Sequence, residues 1–519
     1  MKRLTDLRKP FVAALALACT LMMTMSVSAQ SPAVLAPADT AVFVHIHKPA
    51  DWFGDLTQGP LGEKMRKQIE TQEGSGDLLA ALGMNLDQFM DAYFGQDVVV
   101  LGPGGDADGV IFTKVSKANR EHAIDSLFLK ANGDLAGHPV YVGADGEGYF
   151  VMMNDWVVMC DLNAVEYLES ILKQGPNAQR LADTEFYAKW TKELPADRSM
   201  TALIYENEDS QHALGVVRKG KGMDATYLGT SPDFDELMSM LGETSVAEFG
   251  PLPSDTIAAM SFNITATDEV KQQFQGLDMF LGGKTFAKDV LPKLDPPTLM
   301  FLGSVAGDAV EPDVSVDVPV VGLAMKMNDD SVAADLDQLF NSLVLIANIS
   351  VAQFEAGAVP QRTATYKGAS FKVAEVGKPI AQGLEFPELA PIQIVYGRVG
   401  EYYVVCTQEQ FFKKCADANA GGKPMRIEVE GPAHRLAKTP VLAMTARPDG
   451  FGSLLLSWGK MLEAKGLPDA LGADEVMPAD LDTLFDVVTM LQQYSRMKVQ
   501  VWSGDDGLVI GRAQLTAPQ

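Results

Sequence analysis

Two stretches of the chain repeat the same order of apolar and polar positions. Residues 109–128 read GVIFTKVSKANREHAIDSLF and residues 321–340 read VGLAMKMNDDSVAADLDQLF. In each stretch a short apolar strand passes through a polar turn into a segment with apolar residues at i, i+3 and i+4, the buried stripe of an amphipathic helix. The residues expected on the buried helix faces are Ile124, Leu127 and Phe128 in the first copy and Leu336, Leu339 and Phe340 in the second.

Five shorter matches occur in the same order along the chain. They pair 37–40 (PADT) with 253–256 (PSDT), 98–102 (VVVLG) with 299–303 (LMFLG), 137–142 (GHPVYV) with 368–373 (GASFKV), 156–160 (WVVMC) with 402–406 (YYVVC), and 200–205 (MTALIY) with 441–445 (VLAMT). Chance can supply one such match, but six in one order predict an internal duplication. We expect two homologous halves, covering residues 33–250 and 251–515.

The strand patterns lie close together, with turn chemistry between them. Asp145-Gly146, Asp506-Gly507 and the stretch 102–105 are hairpin or tight-turn signals. Short connections favour antiparallel pairing, because parallel neighbours need a long crossover. The sequence therefore predicts an α+β fold in which each half has an antiparallel sheet with amphipathic helices packed on one face. A strictly alternating parallel fold is the alternative.

The N-terminal residues have the layout of a secretory signal. Four basic side chains within residues 2–9 precede an apolar run from Phe11 to Met25, which closes on small residues at 27–29. We expect a signal peptide over residues 1–29, cleaved between Ala29 and Gln30. An uncleaved anchor is the alternative, although 15 residues are short for a helix that spans a bilayer. The protein is then expected in the periplasm or outside the cell, with no stable membrane insertion after signal removal.

The composition is that of an acidic globular protein. The 519 residues carry a formal net charge of −26, and 47% of them are hydrophobic, enough for two cores. Nucleic-acid binding depends on Lys and Arg that neutralise phosphates, so nucleic acid is not expected as a partner. An anionic membrane surface is disfavoured for the same reason.

Three cysteines follow the signal segment: Cys160, Cys406 and Cys415. None belongs to a C-x-x-C pair of the kind that holds zinc or performs redox chemistry. Cys415 lies one helical turn after Phe411, which favours a buried thiol. A disulfide between Cys406 and Cys415 remains the alternative, since exported proteins permit it.

The N-terminal motifs resemble those of one protein family. The signal segment, the PADT strand start at 37–40, Asp51-Trp52-Phe53 and the GPLG stretch at 59–62 are similar to exported bacterial proteins catalogued as a domain of unknown function. The resemblance covers residues 35–175. It implies an exported setting and supplies no catalytic residues.

His45 and His47 have the spacing most suggestive of a metal site. On a strand, residues i and i+2 point to the same face, so two imidazoles could share an ion. No further Cys/His ligand cluster lies nearby, and the matching positions of the second half hold Ser261 and Asn263. We therefore expect a half-exposed strand end and no metal.

Ser457 and Lys460 fit the S-x-x-K pattern of penicillin-recognising enzymes. Those enzymes also need later S-D-N and K-T-G elements, which do not follow here. Leu455 stands where a nucleophile elbow requires glycine. The segment is expected to be a helix that packs Leu454, Leu455 and Trp458 inward.

Two acidic turns could in principle bind calcium. They contain Asp106 and Asp108 in one case and Glu206, Glu208 and Asp209 in the other. Neither has the full ligand pattern of a calcium loop, so exposed acidic turns are the simpler interpretation. With no matched histidines in the two halves, general acid–base catalysis by histidine is not expected.

No catalytic, cofactor-binding or metal-binding residue is therefore assigned from the sequence. It favours a non-enzymatic extracytoplasmic binding or structural protein whose partner is an unidentified extracytoplasmic protein or ligand. The alternative is an exported hydrolase with a carboxylate-based site. A concentration of unusual polar residues in one half, or in the cleft between the halves, would favour the enzyme, and the sequence shows no such concentration.

Overall fold

The computed structural model shows an α+β fold built on a large antiparallel sheet. It divides into two compact units, residues 1–232 with 508–514 and residues 233–507 with 515–519. The sequence had suggested a boundary between 250 and 251. The structure describes residues 32–56, 60–71, 75–104, 108–127, 129–142, 148–174, 178–232, 238–244, 248–311, 314–351, 358–383, 390–426, 434–465 and 492–517. The signal segment and its cleavage position, Ala29/Gln30, lie outside these residues.

The strands of the first unit are all paired antiparallel. Their bounds are β1 Val42–His47, β2 Asp97–Gly102, β3 Val110–Lys114, β4 Lys130–Leu135, β5 His138–Val142, β6 Gly148–Met153, β7 Trp156–Asp161, β8 Met200–Tyr205, β9 Gln211–Lys219 and β10 Gly222–Thr230. Hydrogen-bonded neighbours run β10, β9, β8, β1, β2, β3, β7, β6, β5, β4. Residues 508–514, which form most of β23 (Val509–Thr516), add a strand beside β10.

The helices of the first unit are mostly short. They are α1 Pro49–Leu56, α2 Pro60–Thr71, α3 Ser75–Leu82, α4 Leu86–Phe94, α5 Lys117–Ser126, α6 Val165–Lys173 and α7 Glu185–Glu193. Several begin at a residue whose side chain accepts a backbone N–H of the first turn. Asn85 forms a capping box with Gln88, and Ser116 caps α5 through the N–H of Asn119.

The second unit contains the remaining strands. They are β11 Leu241–Gly242, β12 Glu248–Pro253, β13 Ala258–Ile264, β14 Leu294–Glu311, β15 Val314–Met327, β16 Gln361–Tyr366, β17 Ala369–Ala374, β18 Ile394–Val399, β19 Tyr402–Cys406, β20 Pro424–Arg426, β21 Thr439–Ala446 and β22 Arg496–Ser503. Neighbours in its main sheet run β22, β21, β13, β14, β15, β19, β18, β17, β16. This is the order of β9, β8, β1, β2, β3, β7, β6, β5 and β4 in the first unit.

The helices of the second unit are α8 Asp268–Asp278, α9 Val332–Val351, α10 Gly377–Gly383, α11 Glu409–Asn419 and α12 Pro448–Lys465. Two of them, α9 and α11, occupy places along the chain that match helices of the first unit, and both are longer. α9 follows β15 as α5 follows β3, and α11 follows β19 as α6 follows β7. Among the described residues, no helix is both long and apolar enough to cross a membrane.

The strand registers of the two units also correspond. Lys114 lies opposite Trp156, and Lys326 lies opposite Tyr402, as the gapless match of 109–128 with 321–340 requires. The P-x-D-T motifs fold alike: the backbone N–H of Thr40 donates to Pro37 O, and that of Thr256 donates to Pro253 O.

The predicted match of residues 98–102 with 299–303 is wrong by one residue. Val98 lies opposite Ile46, whereas the equivalent of Ile46, Phe262, lies opposite Thr298 and not Leu299. Every residue of β2 is buried, so its apolar run has no alternation to fix which side chain faces which side.

The expectation that helices pack on one sheet face is also wrong. Tyr403 and Val404 are adjacent on β19 and therefore point to opposite faces, yet both are buried. Val404 belongs to a core with residues of α11, and Tyr403 to a core with residues of α9. Because both faces carry apolar side chains, both need a covering helix.

The helix-face prediction is met for part of the second copy. Leu336 and Leu339 are buried on α9, and Phe340 is partly buried. In the first copy Ile124 and Leu127 are only half-buried, and Phe128 lies outside the described residues. α5 ends at Ser126, so the first copy lacks the further turns that α9 has.

Candidate functional site

An apolar cavity of about 380 Å³ lies in the first unit. Its floor is the sheet formed by β3, β7 and β6, and its cover comes from α3, α4 and α5. The lining residues are Leu78, Leu82, Phe89, Tyr93, Phe94, Ile111, Thr113, Ala123, Leu127, Leu129, Tyr149, Phe150, Met152, Val157, Met159, Cys160 and Asp161. Concave, mostly apolar pockets of this size are typical of small-molecule sites.

The register of three strands builds the cavity floor. Met159 on β7 lies between Ile111 on β3 and Phe150 on β6. Two residues earlier on β7, Val157 lies between Thr113 and Met152. Residues directly opposite one another share a sheet face, so these side chains form one continuous patch beneath the helices.

Two polar side chains in the cavity wall, those of Tyr93 and Thr113, are bonded to the protein backbone. The Tyr93 hydroxyl donates to Asn119 O at 3.1 Å, and Thr113 Oγ1 donates to Tyr93 O. Burial raises the pKa of the Tyr93 hydroxyl, so this group stays neutral. The wall therefore presents mainly hydrocarbon to a molecule inside it.

Asp161 ends β7 at one margin of the cavity. It follows Met159 by two residues, so its side chain lies on the same sheet face. Among the described residues that line the cavity, it is the charged one. Burial, followed by the nearby charge of Asp161, raises the pKa of Cys160 to about 12.

The corresponding face of the second unit is filled. Register places Tyr403 where the first unit has Val157, Tyr396 where it has Phe150, and Met325 where it has Thr113. The Phe340 ring lies 5.7 Å from that of Tyr396 and 6.0 Å from that of Tyr403. The Tyr403 hydroxyl donates to Asp337 Oδ1 at 2.7 Å. Larger side chains and the longer α9 therefore occupy this space.

His45 and His47 converge on a partner that sequence reasoning missed. Asp97 Oδ1 accepts from His45 Nε2 at 3.0 Å and from His47 Nδ1 at 2.9 Å. Burial would raise the pKa of Asp97, but the two hydrogen bonds outweigh it and lower this pKa to about 2. β1 and β2 place His47 directly opposite Asp97, so a strand-pairing prediction could have found the contact.

This cluster is a polar group peculiar to the first unit. One ring nitrogen of each histidine bonds the same oxygen of Asp97. In the second unit Ser261 instead bonds Thr244 at 2.9 Å, and Asn263 donates to Glu243 O. Within the part of the chain that the structure describes, no group of three or more His, Cys, Asp or Glu could hold a metal ion.

Ser457 and Trp458 make structural contacts. Ser457 Oγ accepts the backbone N–H of Asp317 at 2.8 Å, and Trp458 Nε1 donates to Asp317 O at 2.9 Å. Together they fasten α12 to β15. Leu454 is buried, while Leu455 and Trp458 are half-buried. The side chain of Lys460 lies outside the described residues.

The acidic turns carry ordinary hydrogen bonds. Asp108 Oδ2 accepts from Asn163 at 3.1 Å, and Asp106 lies outside the described residues. Glu206 Oε2 accepts from the Ser210 hydroxyl at 2.8 Å.

Ser210 also lies 3.3 Å from His212 Nε2, and His212 Nδ1 lies 2.7 Å from the Tyr227 hydroxyl. This resembles a nucleophile–base pair in composition only. Because the Ser210 hydroxyl donates its hydrogen bond to Glu206, His212 is not placed to remove the hydroxyl proton. Burial raises the pKa of Tyr227 to about 12, which keeps this hydroxyl neutral as well. The chain of contacts fixes the β8–β9 turn.

All three cysteines that the structure describes are free and buried. Cys160 and Cys406 hold equivalent positions on β7 and β19. Burial raises the pKa of Cys406 to about 12 and that of Cys415 well above its ordinary value. The buried-thiol interpretation fits these positions, and the Cys406–Cys415 disulfide is not formed.

Comparisons with known proteins give no family. No family model and no curated protein matches the chain. A solved structure, crystal form IV of TP0453, is 10% identical and covers 41% of this chain and 86% of its own, with a TM-score of 0.25. A TM-score this low carries no argument about fold or function. The resemblance of residues 35–175 to an exported family stays a prediction.

Proposed function

We propose that this is an exported, non-enzymatic binding protein that takes up an apolar small molecule in the first unit. The observation that carries the proposal is the cavity beneath α3, α4 and α5. A cavity of about 150 Å³ lined by Leu, Ile and Phe stays dry and binds benzene. At about 380 Å³, this one has room for a longer hydrocarbon.

The wall chemistry supports binding without catalysis. A catalytic site concentrates titratable groups with matched pKa values around a reacting atom. Here Tyr93 and Thr113 are bonded to the backbone, and burial raises the pKa of Cys160 to about 12, which keeps this thiol protonated. A wall that is apolar apart from Asp161 at its margin favours uptake of hydrocarbon by the hydrophobic effect.

We also propose that the two units arose by duplication and then diverged in role. The shared strand order and the matched registers at Lys114 and Lys326 support this origin. The first unit would bind the ligand, while the second, filled by Tyr396, Tyr403 and Phe340, would act as a scaffold. Reuse of one arrangement explains why Cys160 and Cys406 hold equivalent positions.

We propose from the sequence that binding takes place outside the cytoplasm. A signal cleaved between Ala29 and Gln30 would deliver the protein to the periplasm or the cell exterior. An apolar molecule in that aqueous space needs a protein to shield it from water. N-terminal sequencing of the exported protein checks this step, because a chain starting at Gln30 is expected and one retaining Met1 would contradict it.

The binding test uses the residue that the second unit places at the same position. Val157→Phe puts a ring into the cavity, where the second unit has the Tyr403 ring. We expect the purified protein to bind N-phenyl-1-naphthylamine with enhanced fluorescence, and the variant to bind at least tenfold more weakly. Since filling a cavity commonly stabilises a protein, its Tm should not fall.

The matched control is Val321→Phe, at an exposed strand residue of the second unit. It adds the same ring away from the cavity and should leave probe binding unchanged. Failure of the unmodified protein to bind the probe would overturn the proposal. So would full binding by a folded Val157→Phe variant.

A further inference from the structure

We propose that the ligand of the first unit is an aromatic compound with fused rings, and that one ring takes the place that the Tyr403 side chain fills in the second unit. This inference rests on the proposed function, because it concerns the same cavity. It follows from the side chains that line the cavity, from the equivalent core of the second unit and from the cavity volume.

Aromatic rings and thioethers form much of the described cavity wall. These side chains are Phe89, Tyr93 and Phe94 on α4, Tyr149 and Phe150 on β6, Met152 on β6 and Met159 on β7. Except for Tyr93, they are only half-buried although they lie beneath or within the helical cover. Each therefore has surface left that a ligand in the cavity can cover.

The rings on α4 show how a further ring would pack against this wall. The Phe89 ring lies 5.2 Å from that of Tyr93 at an interplanar angle of 40°, and 5.8 Å from that of Phe94 at 59°. Rings paired in offset or edge-to-face arrangements bind about two- to tenfold more tightly than their buried area alone explains. Thioether sulfur adds favourable contacts with ring edges. A saturated hydrocarbon gains neither.

The second unit fills the equivalent space with protein rings. Tyr403 holds the register position of Val157, and Tyr396 holds that of Phe150. The Phe340 ring lies 6.0 Å from the Tyr403 ring at an interplanar angle of 18°, and 5.7 Å from the Tyr396 ring at 34°. Ring against ring is thus the packing that this sheet face supports when it is filled. A ligand ring above Val157 would lie beside Phe150 in the same way.

The volume of the cavity exceeds what one ring needs. Benzene occupies an apolar cavity of about 150 Å³ in another protein. The cavity of the first unit measures about 380 Å³, so it has room for at least two fused rings. The small side chain of Val157 provides this room, since the second unit has a ring attached at that position.

The test compares two hydrocarbons with the same carbon skeleton, tetralin, which has an aromatic ring, and decalin, which has none. Each is supplied through the vapour phase at the same fraction of saturation, so their different tendencies to leave water cancel. Loss of N-phenyl-1-naphthylamine fluorescence reports displacement of the probe from the purified protein. We expect tetralin to displace half of the probe at a vapour fraction about threefold or more below that of decalin, because only tetralin has a ring to pair with the wall.

Phe150→Leu tests whether a ring of the wall causes this preference. It keeps an apolar side chain, and the ratio of the two vapour fractions should move about twofold or more towards one. Phe451→Leu is the matched control, the same substitution at an exposed residue of the second unit. Leu127→Ile changes an aliphatic lining residue and removes no ring. Both controls should leave the ratio as it is in the unmodified protein.

The outcomes separate this inference from the function beneath it. If the probe binds but tetralin displaces it no better than decalin, the ligand is not selected by aromatic pairing and the inference is wrong. The inference is also wrong if Phe150→Leu, shown to be folded by its thermal unfolding, leaves the ratio unchanged, or if Leu127→Ile shifts the ratio as far. If the probe itself does not bind, the proposed function has failed.

Discussion

The same three strand positions hold a cavity in one unit and a packed core in the other. Thr113, Val157 and Phe150 line the cavity of the first unit. Their register partners in the second unit are Met325, Tyr403 and Tyr396, which belong to a buried cluster. The strand order is shared, so side-chain volume and the length of one helix decide which unit has room for a ligand.

The difference shows how a sheet frame can be kept while its use changes. Protein cores are packed so closely that adding or removing one aromatic ring changes the packing and the stability. In the second unit Phe340 contacts both tyrosine rings, and the extra turns of α9 cover them. In the first unit α5 ends at Ser126, and the space above Val157 and Met159 remains open.

The largest expected effect comes from giving the second unit the side chain of the first. Tyr403→Val removes a buried ring and the hydroxyl that donates to Asp337 Oδ1, although Lys372 Nζ still lies 3.5 Å from Asp337 Oδ2. We expect a loss of about 3 kcal/mol in the free energy of unfolding, because truncating a buried aromatic side chain leaves a cavity. Urea unfolding measures the loss.

Tyr403→Phe is the matched variant for this experiment. It keeps the ring and removes only the hydroxyl, so it should cost about 1 kcal/mol. If both variants lose the same unfolding free energy, the hydroxyl and not the packed ring of Tyr403 would account for its contribution to stability. The contrast in packing between the two units would then need another explanation.

Acid should act through buried carboxylates of the first unit. Burial would raise the pKa of Asp224, but hydrogen bonds from Arg512, Lys219 and Gln514 lower it to about 2 from 3.8. A carboxyl whose pKa is lowered by folding contributes stability that is fully present above about pH 4 and is lost as the pH falls through 2. The contribution of Asp224 is about 2 kcal/mol.

Asp224→Asn should therefore lower the stability at pH 7 and remove part of its dependence on pH between 4 and 2, while Asp97, whose pKa is also lowered to about 2, keeps the rest. Thermal unfolding across this pH range measures both effects. Asp268→Asn in the second unit is the control, since the Asp268 side chain is exposed and its ion pair with Lys271 is screened by solvent. An equally flat profile in the control would show that acid does not act through Asp224.

Part of this comparison could be predicted from the sequence. The gapless match of 109–128 with 321–340 predicted which strands correspond, and the registers at Lys114 and Lys326 agree with it. The exchange of Val157 for Tyr403 is visible in the match of WVVMC with YYVVC. Both matches are local patterns of a short strand and its flanking turns, so they can be recognised in the sequence without knowledge of distant contacts.

The cavity could not be predicted in the same way. Its floor comes from β3, β6 and β7, whereas its cover includes α3 and α4, which precede β3 in the chain. Whether a helix covers a strand completely depends on packing between distant segments, which periodicity does not report. The contact of Asp97 with His45 and His47 was missed for a related reason, because Asp97 is about 50 residues away from both.

The smallest expected effect concerns the turn that both units share. Thr256 Oγ1 donates to Pro253 O at 2.7 Å, and Thr256 is fully buried. Thr256→Val keeps the shape and removes the hydroxyl, so we expect a cost of about 1 kcal/mol in urea unfolding. Thr256→Ser restores the donor and should recover most of this loss. If Thr256→Val leaves the free energy of unfolding unchanged, the threonine hydroxyl does not stabilise the turn, and the P-x-D-T match reflects backbone geometry alone.

A crystal structure of the protein under xenon pressure would show directly whether the first unit holds an open apolar cavity and the second unit does not. Xenon enters dry apolar cavities and is located by its strong scattering. We expect a xenon atom in the first unit between Phe150, Val157 and Met159, and none between Tyr396 and Tyr403 in the second. Ordered water in the first cavity, or a wall closed around Met159, would contradict it.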